Sequence, residues 1–136
     1  MNITNIQKQG RVPVTVLELS GKMDGSNYML LVDETRKNIL NGMRDLLIDL
    51  SKLTFLSSAG LAAIHKTALL LRGQPNAEAE SGWDSYHAID RDRGRGVQSH
   101  VKLLSPGTAV AGILDIANFS SLFEIHTNLD AAVASF

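Results

Sequence analysis

Two kinds of apolar pattern alternate along this chain of 136 residues, and their order limits the possible folds. Four short runs of β-branched and apolar residues are typical of buried strands. They occupy residues 12–19, 45–50, 101–104 and 123–126, and residues 3–9 could add a fifth strand. Between and after them, apolar residues recur at helical spacing. These stretches are residues 28–39, 59–71, 108–116 and 129–136. The alternation predicts the α/β class, with helices packed on a mixed, mostly parallel central sheet of about four to five strands.

Composition predicts one globular domain over residues 1–136. With 44% apolar and 20% charged residues, the chain can bury a normal core. Its 13 basic and 14 acidic residues leave a net charge of −1, so there is no overall field to attract nucleic acid. The absence of cysteine excludes disulfides, thiolate metal sites and a cysteine nucleophile. We therefore expect a cytoplasmic protein that does not bind nucleic acid directly.

The sequence shows no signal for export or membrane insertion. The N-terminus has no basic region followed by an apolar one. The most apolar stretch, residues 60–71, carries His65 and Lys66 and is shorter than the ~20 apolar residues that a membrane span needs. We expect no membrane span.

One polar segment, residues 73–99, does not fit the alternation of strands and helices. It is rich in Gly, Ser and charged residues, and it exceeds the ~12 to 15 residues of most loops in compact domains. We expect it to be an inserted loop. Its less polar residues, Trp83 and Tyr86, could fold it into a small hairpin or anchor a partner.

Local signals predict several details around the strand at residues 45–50. Asp24 or Ser26 is expected to cap the first helix, because such side chains accept free backbone N–H bonds. Residues 51–58 are expected to form a loop. In the following helix, we expect His65 to be half-exposed and Lys66 to face solvent.

Residues 49–61 lead from a buried strand into the start of a helix, and they read DLSKLTFLSSAGL. This stretch resembles the signature of the STAS domain, the fold of bacterial anti-sigma factor antagonists. In that family, Asp-Leu-Ser at a strand end leads through an aromatic-apolar pair to Asp-Ser-Ser/Thr-Gly-Leu at a helix start. The Gly21-x-x-Asp24 turn, Ser105-Pro106 and residues 122–132 are also similar to the family, whereas residues 73–99 have no counterpart.

The resemblance implies that Ser58 is a phosphoacceptor, with Ser57 as the second choice. The chain differs from the family at both flanking positions, because Ser57 stands where Asp is usual and Ala59 where Ser or Thr is frequent. The residues alone also favour a phosphate here. A helix that begins at Ser58 or Ala59 directs backbone N–H groups and the positive end of its dipole toward the Ser58 side chain. The structural alternative is that Ser57 or Ser58 is only an N-cap.

The resemblance further implies a phosphoprotein of transcription regulation and signal transduction. Unphosphorylated, it would bind a serine kinase-type anti-sigma factor or a related regulatory ATPase, and a serine phosphatase would reset it. The expected partner-binding residues are Asp24, Ser26, Ser57, Ser58, Gly60 and Leu61. The alternative is a STAS accessory subunit of a transporter or a scaffold subunit of a signalling assembly, in which Ser58 is a packing residue.

Enzymatic, metal and cofactor chemistry are not expected. The chain has no Gly-x-Ser-x-Gly elbow, no P-loop and no metal-ligand array. The histidines are scattered at His65, His87, His100 and His126. His65 lies about 10 Å of helical rise from Ser58, which is too far for a general base.

Overall fold

Five strands form one sheet in the computed structural model, which describes residues 1–73, 89 and 96–136. In chain order they are β1 (Asn2–Gln9), β2 (Pro13–Met23), β3 (Leu46–Leu56), β4 (Val101–Leu104) and β5 (Ile125–His126), and this is also their order across the sheet. β1 is antiparallel to β2, whereas the other neighbouring pairs are parallel. The predicted α/β class and mixed, mostly parallel sheet are confirmed.

Three helices of the described residues lie in the connections between parallel strands, as crossovers require, and a fourth follows the last strand. They are α1 (Met29–Leu40), α2 (Ser58–Leu71), α3 (Thr108–Ile116) and α4 (Leu129–Ala134), with a short 3-10 helix at Phe119–Ser121. Gly42 follows α1 with φ +96°, a conformation that glycine adopts without strain. The helix predicted at residues 28–39 therefore ends within one residue of the expected position.

Both faces of the sheet bury apolar side chains, which explains the continuous apolar runs of the strands. Because successive side chains of a strand point to opposite faces, neighbours such as Leu47 and Ile48 enter different cores. The larger core, which contains Ile48, joins the sheet to α1, α2 and α3. The smaller core, which contains Leu47, joins it to α4 through Ala132 and Val133.

The strand β3 is longer than the sequence predicted. We expected residues 51–58 to form a loop, but β3 continues to Leu56. Leu53 and Leu56 are buried, and they pair with Gly21 and Met23 of β2 across irregularities in the register. These inward-facing leucines keep the strand on the core although residues between them are exposed. At the other end of the chain, β5 and α4 are shorter than predicted.

The outer side of α2 is also buried, contrary to the prediction. His65 is 2% exposed and Lys66 is 4% exposed, and burial is continuous from Ala62 to Leu69. The Lys66 ammonium lies 6.0 Å from the centre of the Tyr28 ring. An amphipathic reading of this helix was wrong because α2 is covered on more than the side that faces the sheet.

Parts of the polar segment at residues 73–99 pack on the body of the domain. Residues 74–88 and 90–95, including Trp83, Tyr86 and His87, lie outside the described residues. Ile89 is 4% exposed and belongs to the larger core. The Gln98 N–H donates to the Leu122 carbonyl oxygen at 2.8 Å. The inserted segment therefore has an apolar attachment to the core.

The residues that the structure describes contain neither a helix suited to a membrane nor a cluster of potential metal ligands. None of their helices combines the length and the apolar character needed to cross a membrane. Nor do three His, Asp or Glu side chains in these residues come together as a potential metal site.

Candidate functional site

The ends of β2 and β3 lie at the same pole of the sheet because the two strands are parallel. A turn at residues 24–28 follows β2, and α2 follows β3 after a single residue, Ser57. The sheet topology therefore places the turn that holds Asp24 and Ser26 at the same pole as Ser57 and Ser58. We call this region the Ser58 surface; it comprises Asp24, Ser26, Ser57 and Ser58.

Ser57 joins the two strand ends to the helix. Its backbone is extended, with φ −88° and ψ 175°, and its N–H donates to the Met23 carbonyl oxygen at 3.0 Å. Its side-chain oxygen accepts the Gly60 N–H at 3.2 Å. Ser57 is therefore the N-cap of α2, which satisfies one backbone donor of the first turn.

Ser58 is the first residue of α2, and it is exposed. Within the described part of the chain, its hydroxyl makes no hydrogen bond. The first turn of α2 contains no acidic side chain, so no carboxylate there offsets the positive end of the helix dipole. The hydroxyl thus faces solvent in a field that favours an added negative group.

The turn after β2 is held by its own side chains. The Asp24 carboxylate accepts the Ser26 N–H at 2.9 Å and the Ser26 hydroxyl at 2.6 Å. The Asn27 side chain accepts the Asp24 N–H at 3.0 Å and donates to the Lys22 carbonyl oxygen at 2.9 Å. The prediction that Asp24 or Ser26 caps α1 was wrong. The N-cap is Tyr28, without a side-chain cap bond, because α1 begins beyond the reach of this self-contained turn.

Asp24 adds a stable negative charge to the Ser58 surface. The hydrogen bond from the Ser26 side chain and then that from the Ser26 backbone lower the pKa of the Asp24 carboxyl below its ordinary value of 3.8. The positive charges of the N-terminus and Lys22 act in the same direction. Asp24 is therefore ionised at neutral pH.

The six predicted partner-binding residues differ in accessibility. Ser26 and Ser58 are exposed, whereas Asp24, Ser57 and Leu61 are partly exposed. Gly60 is buried, and a Cβ atom there would overlap the Leu56 side chain and crowd Met23. Gly60 therefore serves packing between α2 and the strand ends and offers no side chain to a partner.

Sequence reasoning missed two exposed apolar side chains at this pole. Phe55, opposite Lys22 in the sheet, is 42% exposed, and Leu30, in the first turn of α1, is 49% exposed. The signal for Phe55 was its position directly before the inward-facing Leu56, which only becomes informative once residues 51–56 are assigned to a strand. Together the two side chains add apolar area to a pole that otherwise carries hydroxyls and a carboxylate.

Comparison with known protein families matches residues 5–74 to the STAS domain. The fold resembles that of an anti-sigma factor antagonist from Mycobacterium paratuberculosis, with 19% identity, a TM-score of 0.64 and coverage of 98% of this chain and 93% of that one. A putative anti-sigma factor antagonist from Thermotoga maritima gives 16% identity, a TM-score of 0.63 and coverage of 88% and 83%. The Bacillus cell fate determinant SpoIIAA in its phosphorylated form gives 12% identity, a TM-score of 0.55 and coverage of 96% of each chain.

No curated protein sequence gives a significant match to this chain. At these identities the solved structures establish the shared fold, a SpoIIAA-like α/β domain. The family match extends over just over half of the residues and includes β2, α1, β3 and α2. The chain belongs to the STAS domain family.

Proposed function

We propose that this STAS domain is an anti-sigma factor antagonist switched by phosphorylation of Ser58. The unphosphorylated form binds a serine kinase-type anti-sigma factor or a related regulatory ATPase. Phosphorylation by that partner releases it, and a serine phosphatase restores the binding form. The domain itself is not an enzyme, and it acts in the bacterial cytoplasm as a component of transcription regulation.

The proposal rests on a structural difference between two adjacent serines, of which one caps the helix and the other is exposed. Ser57 is partly buried and its oxygen accepts the Gly60 N–H, so this residue performs the capping. Ser58 is exposed at the first position of the helix. This contrast favours Ser58 over Ser57 as the phosphoacceptor, since a kinase needs access to a hydroxyl that the fold does not use.

The charge change explains how the switch acts on a partner. A phosphate adds about −1.5 to −2 charges at neutral pH, which the helix N-terminus of the free domain tolerates. In a complex, the exposed Phe55 and Leu30 would supply apolar contact, and the ionised Asp24 already contributes negative charge at the same pole. A dianion enclosed there without a basic partner costs several kcal/mol. At ~1.4 kcal/mol per tenfold, phosphorylation weakens binding by at least roughly a hundredfold.

The test begins with affinity purification from the source organism, followed by intact-mass measurement and phosphopeptide mapping. We expect one phosphate, on Ser58, and a kinase-type partner. Ser58→Ala should remain unlabelled and fold normally. The matched control Ser57→Ala should still be labelled but lose the ~0.5 to 2 kcal/mol of a helix cap. Label on Ser57 would contradict the assignment of the acceptor.

Calorimetric titration against the purified partner then tests release. Ser58→Ala should bind as tightly as the unmodified domain, Ser58→Asp more weakly, and the phosphorylated domain weakest of all. Equal affinities of the phosphorylated and unmodified domains would refute the switch. Co-purification with a membrane ATPase regardless of phosphorylation would instead support a transporter accessory subunit.

A further inference from the structure

A cavity of about 520 Å³ opens at the pole opposite the Ser58 surface. Its walls come from the start of β2, the end of α1 and the connection from α1 to β3. Since β2 and β3 each contain 11 residues, this cavity lies roughly 30 Å from Ser58. The volume falls within the ~300 to 1,000 Å³ range of small-molecule sites. The cavity is therefore separate from the surface that the proposed switch uses.

Hydrogen bonds fix the polar wall of this cavity. The Thr15 N–H donates to the Asp45 carbonyl oxygen at 3.0 Å, and the Thr15 hydroxyl donates to the Gln7 side chain at 3.2 Å. The Asn38 side-chain oxygen accepts an amide N–H of Asn5 at 2.7 Å, and the Asn38 backbone oxygen accepts the Met43 N–H at 3.0 Å. The wall is thus formed before any ligand arrives, which lowers the entropic cost of binding.

Two side chains of the lining have unused hydrogen-bonding groups. Among the residues that the structure describes, the Arg44 guanidinium has no ion pair or hydrogen bond, and the Asn41 carboxamide makes no side-chain hydrogen bond. The nearest acid in the lining, Asp45, is engaged elsewhere, since its carboxylate lies 2.9 Å from His100 Nδ1. Within the described residues, the cavity therefore presents a guanidinium without an ion pair beside amide donors and acceptors.

The other walls suit an organic body. Val12, Pro13 and Met43 add apolar surface to the same cavity. A guanidinium binds carboxylate and phosphate through two parallel N–H donors. We propose that this cavity binds a small organic anion, whose carboxylate or phosphate pairs with Arg44 and whose apolar part lies against Pro13 and Met43.

A smaller cavity of about 310 Å³ shares Gly42, Met43 and Arg44 with the larger one. It lies between the ends of α1 and α2, where Ile39, Leu70 and Leu71 form an apolar lining. The larger cavity is the better site because it combines Arg44 with Asn41 and Thr15. The test must therefore report where the anion binds as well as whether it binds.

The experiment titrates the full-length protein with benzoate, phenyl phosphate and the neutral benzamide while amide chemical shifts are followed by NMR. Ligands of this size bind weakly, so we expect dissociation constants on the order of 1 to 10 mM. At least one of the two anions should give saturable shifts at Thr15, Asn41 and Gly42, and the tighter of the two identifies the preferred acid group. Benzamide should bind at least about tenfold more weakly, because it lacks the charge that Arg44 recognises.

Arg44→Gln should weaken binding of the preferred anion at least about tenfold. Its amide spectrum should otherwise remain that of the folded protein. Arg11→Gln is the matched control, because Arg11 is also exposed but does not line the cavity. The proposal would be overturned if neither anion gave a saturable shift, or if the shifts were centred on Leu70 and Gly73. It would also be overturned if benzamide bound as tightly as the anion, or if Arg44→Gln left the affinity unchanged.

Discussion

The two faces of the sheet are closed in different ways. In the part of the chain that the structure describes, one face carries three helices, α1 to α3, over a core that includes the fully buried Phe119 and Phe123. The other carries the six-residue α4 over a small set of apolar side chains. Because α4 is short and buries few apolar side chains in the described part of the chain, polar contacts make up a larger share of the packing on this face.

The polar contacts on the smaller face converge on Lys102, which is 4% exposed. Its ammonium donates to the Ser135 carbonyl oxygen at 2.9 Å and to the Ser135 hydroxyl at 3.0 Å, and it pairs with Glu124 at 3.0 Å. It also lies 4.7 Å from the centre of the Phe136 ring. Lys102 thereby fastens the residues after α4 to β4.

The largest expected effect comes from emptying the larger core. Phe123→Ala should lower the free energy of unfolding by ~3 to 5 kcal/mol, because Phe123 is fully buried and packs against Phe119 with ring centres 5.6 Å apart. Urea denaturation measures the change. Ile116→Ala is the control, since Ile116 is 90% exposed and its loss should change stability by less than ~0.5 kcal/mol. Equal effects of the two substitutions would contradict the assignment of Phe123 to the core.

Removal of the Lys102 ammonium should lower the free energy of unfolding by a smaller amount. Lys102→Met keeps the apolar stem but leaves Ser135 without its buried donor, which should cost ~1 to 3 kcal/mol. Amide hydrogen exchange should accelerate in α4 more than in α2. Lys52→Met is a matched control, because Lys52 pairs with Glu18 at the same 3.0 Å but its side chain is 63% exposed. If exchange in α4 stayed unchanged, Lys102 would not be what fastens this helix.

The smallest expected effect is a pH dependence on the same face. The hydrogen bond from Lys102 is the main reason that the pKa of Glu124 lies below its ordinary value of 4.5. Because the folded-state pKa is lowered, the stabilisation by Glu124 is complete above pH 4.5 and is lost as the pH falls through the folded-state pKa. Between pH 7 and pH 3, the melting temperature should therefore fall less steeply for Glu124→Gln than for the unmodified protein. Identical slopes would exclude this contribution.

Much of the fold was readable from the sequence where local pattern and tertiary environment agree. The strand at residues 101–104 and the helix at 108–116 have the predicted bounds, because a short apolar run and a helical period are separated by a turn containing Pro106. The buried state of His65 and Lys66 was not readable. It depends on what packs on the outer side of α2, and no periodicity within the helix encodes that.

The candidate site was readable in part. The resemblance led to Ser58 and Ser57, but it did not separate the capping serine from the exposed one. That distinction follows from the extended backbone of Ser57 and its bond to Met23, which exist only when β2 and β3 lie side by side. Phe55 was missed for a related reason, because its outward direction depends on the strand continuing to Leu56.

Gly60 lets the first turn of α2 pack closely against the buried side chains of Leu56 and Met23 at the strand ends. A Cβ atom at residue 60 would overlap the Leu56 side chain and crowd that of Met23, both of which are fully buried, so a larger residue would require these side chains or the first turn of α2 to move. A shift of that turn would change the position of Ser58 relative to the Asp24 turn, which follows β2 directly. The absence of a side chain at residue 60 thus contributes to the placement of Ser58 beside Asp24 on the surface proposed to bind a partner.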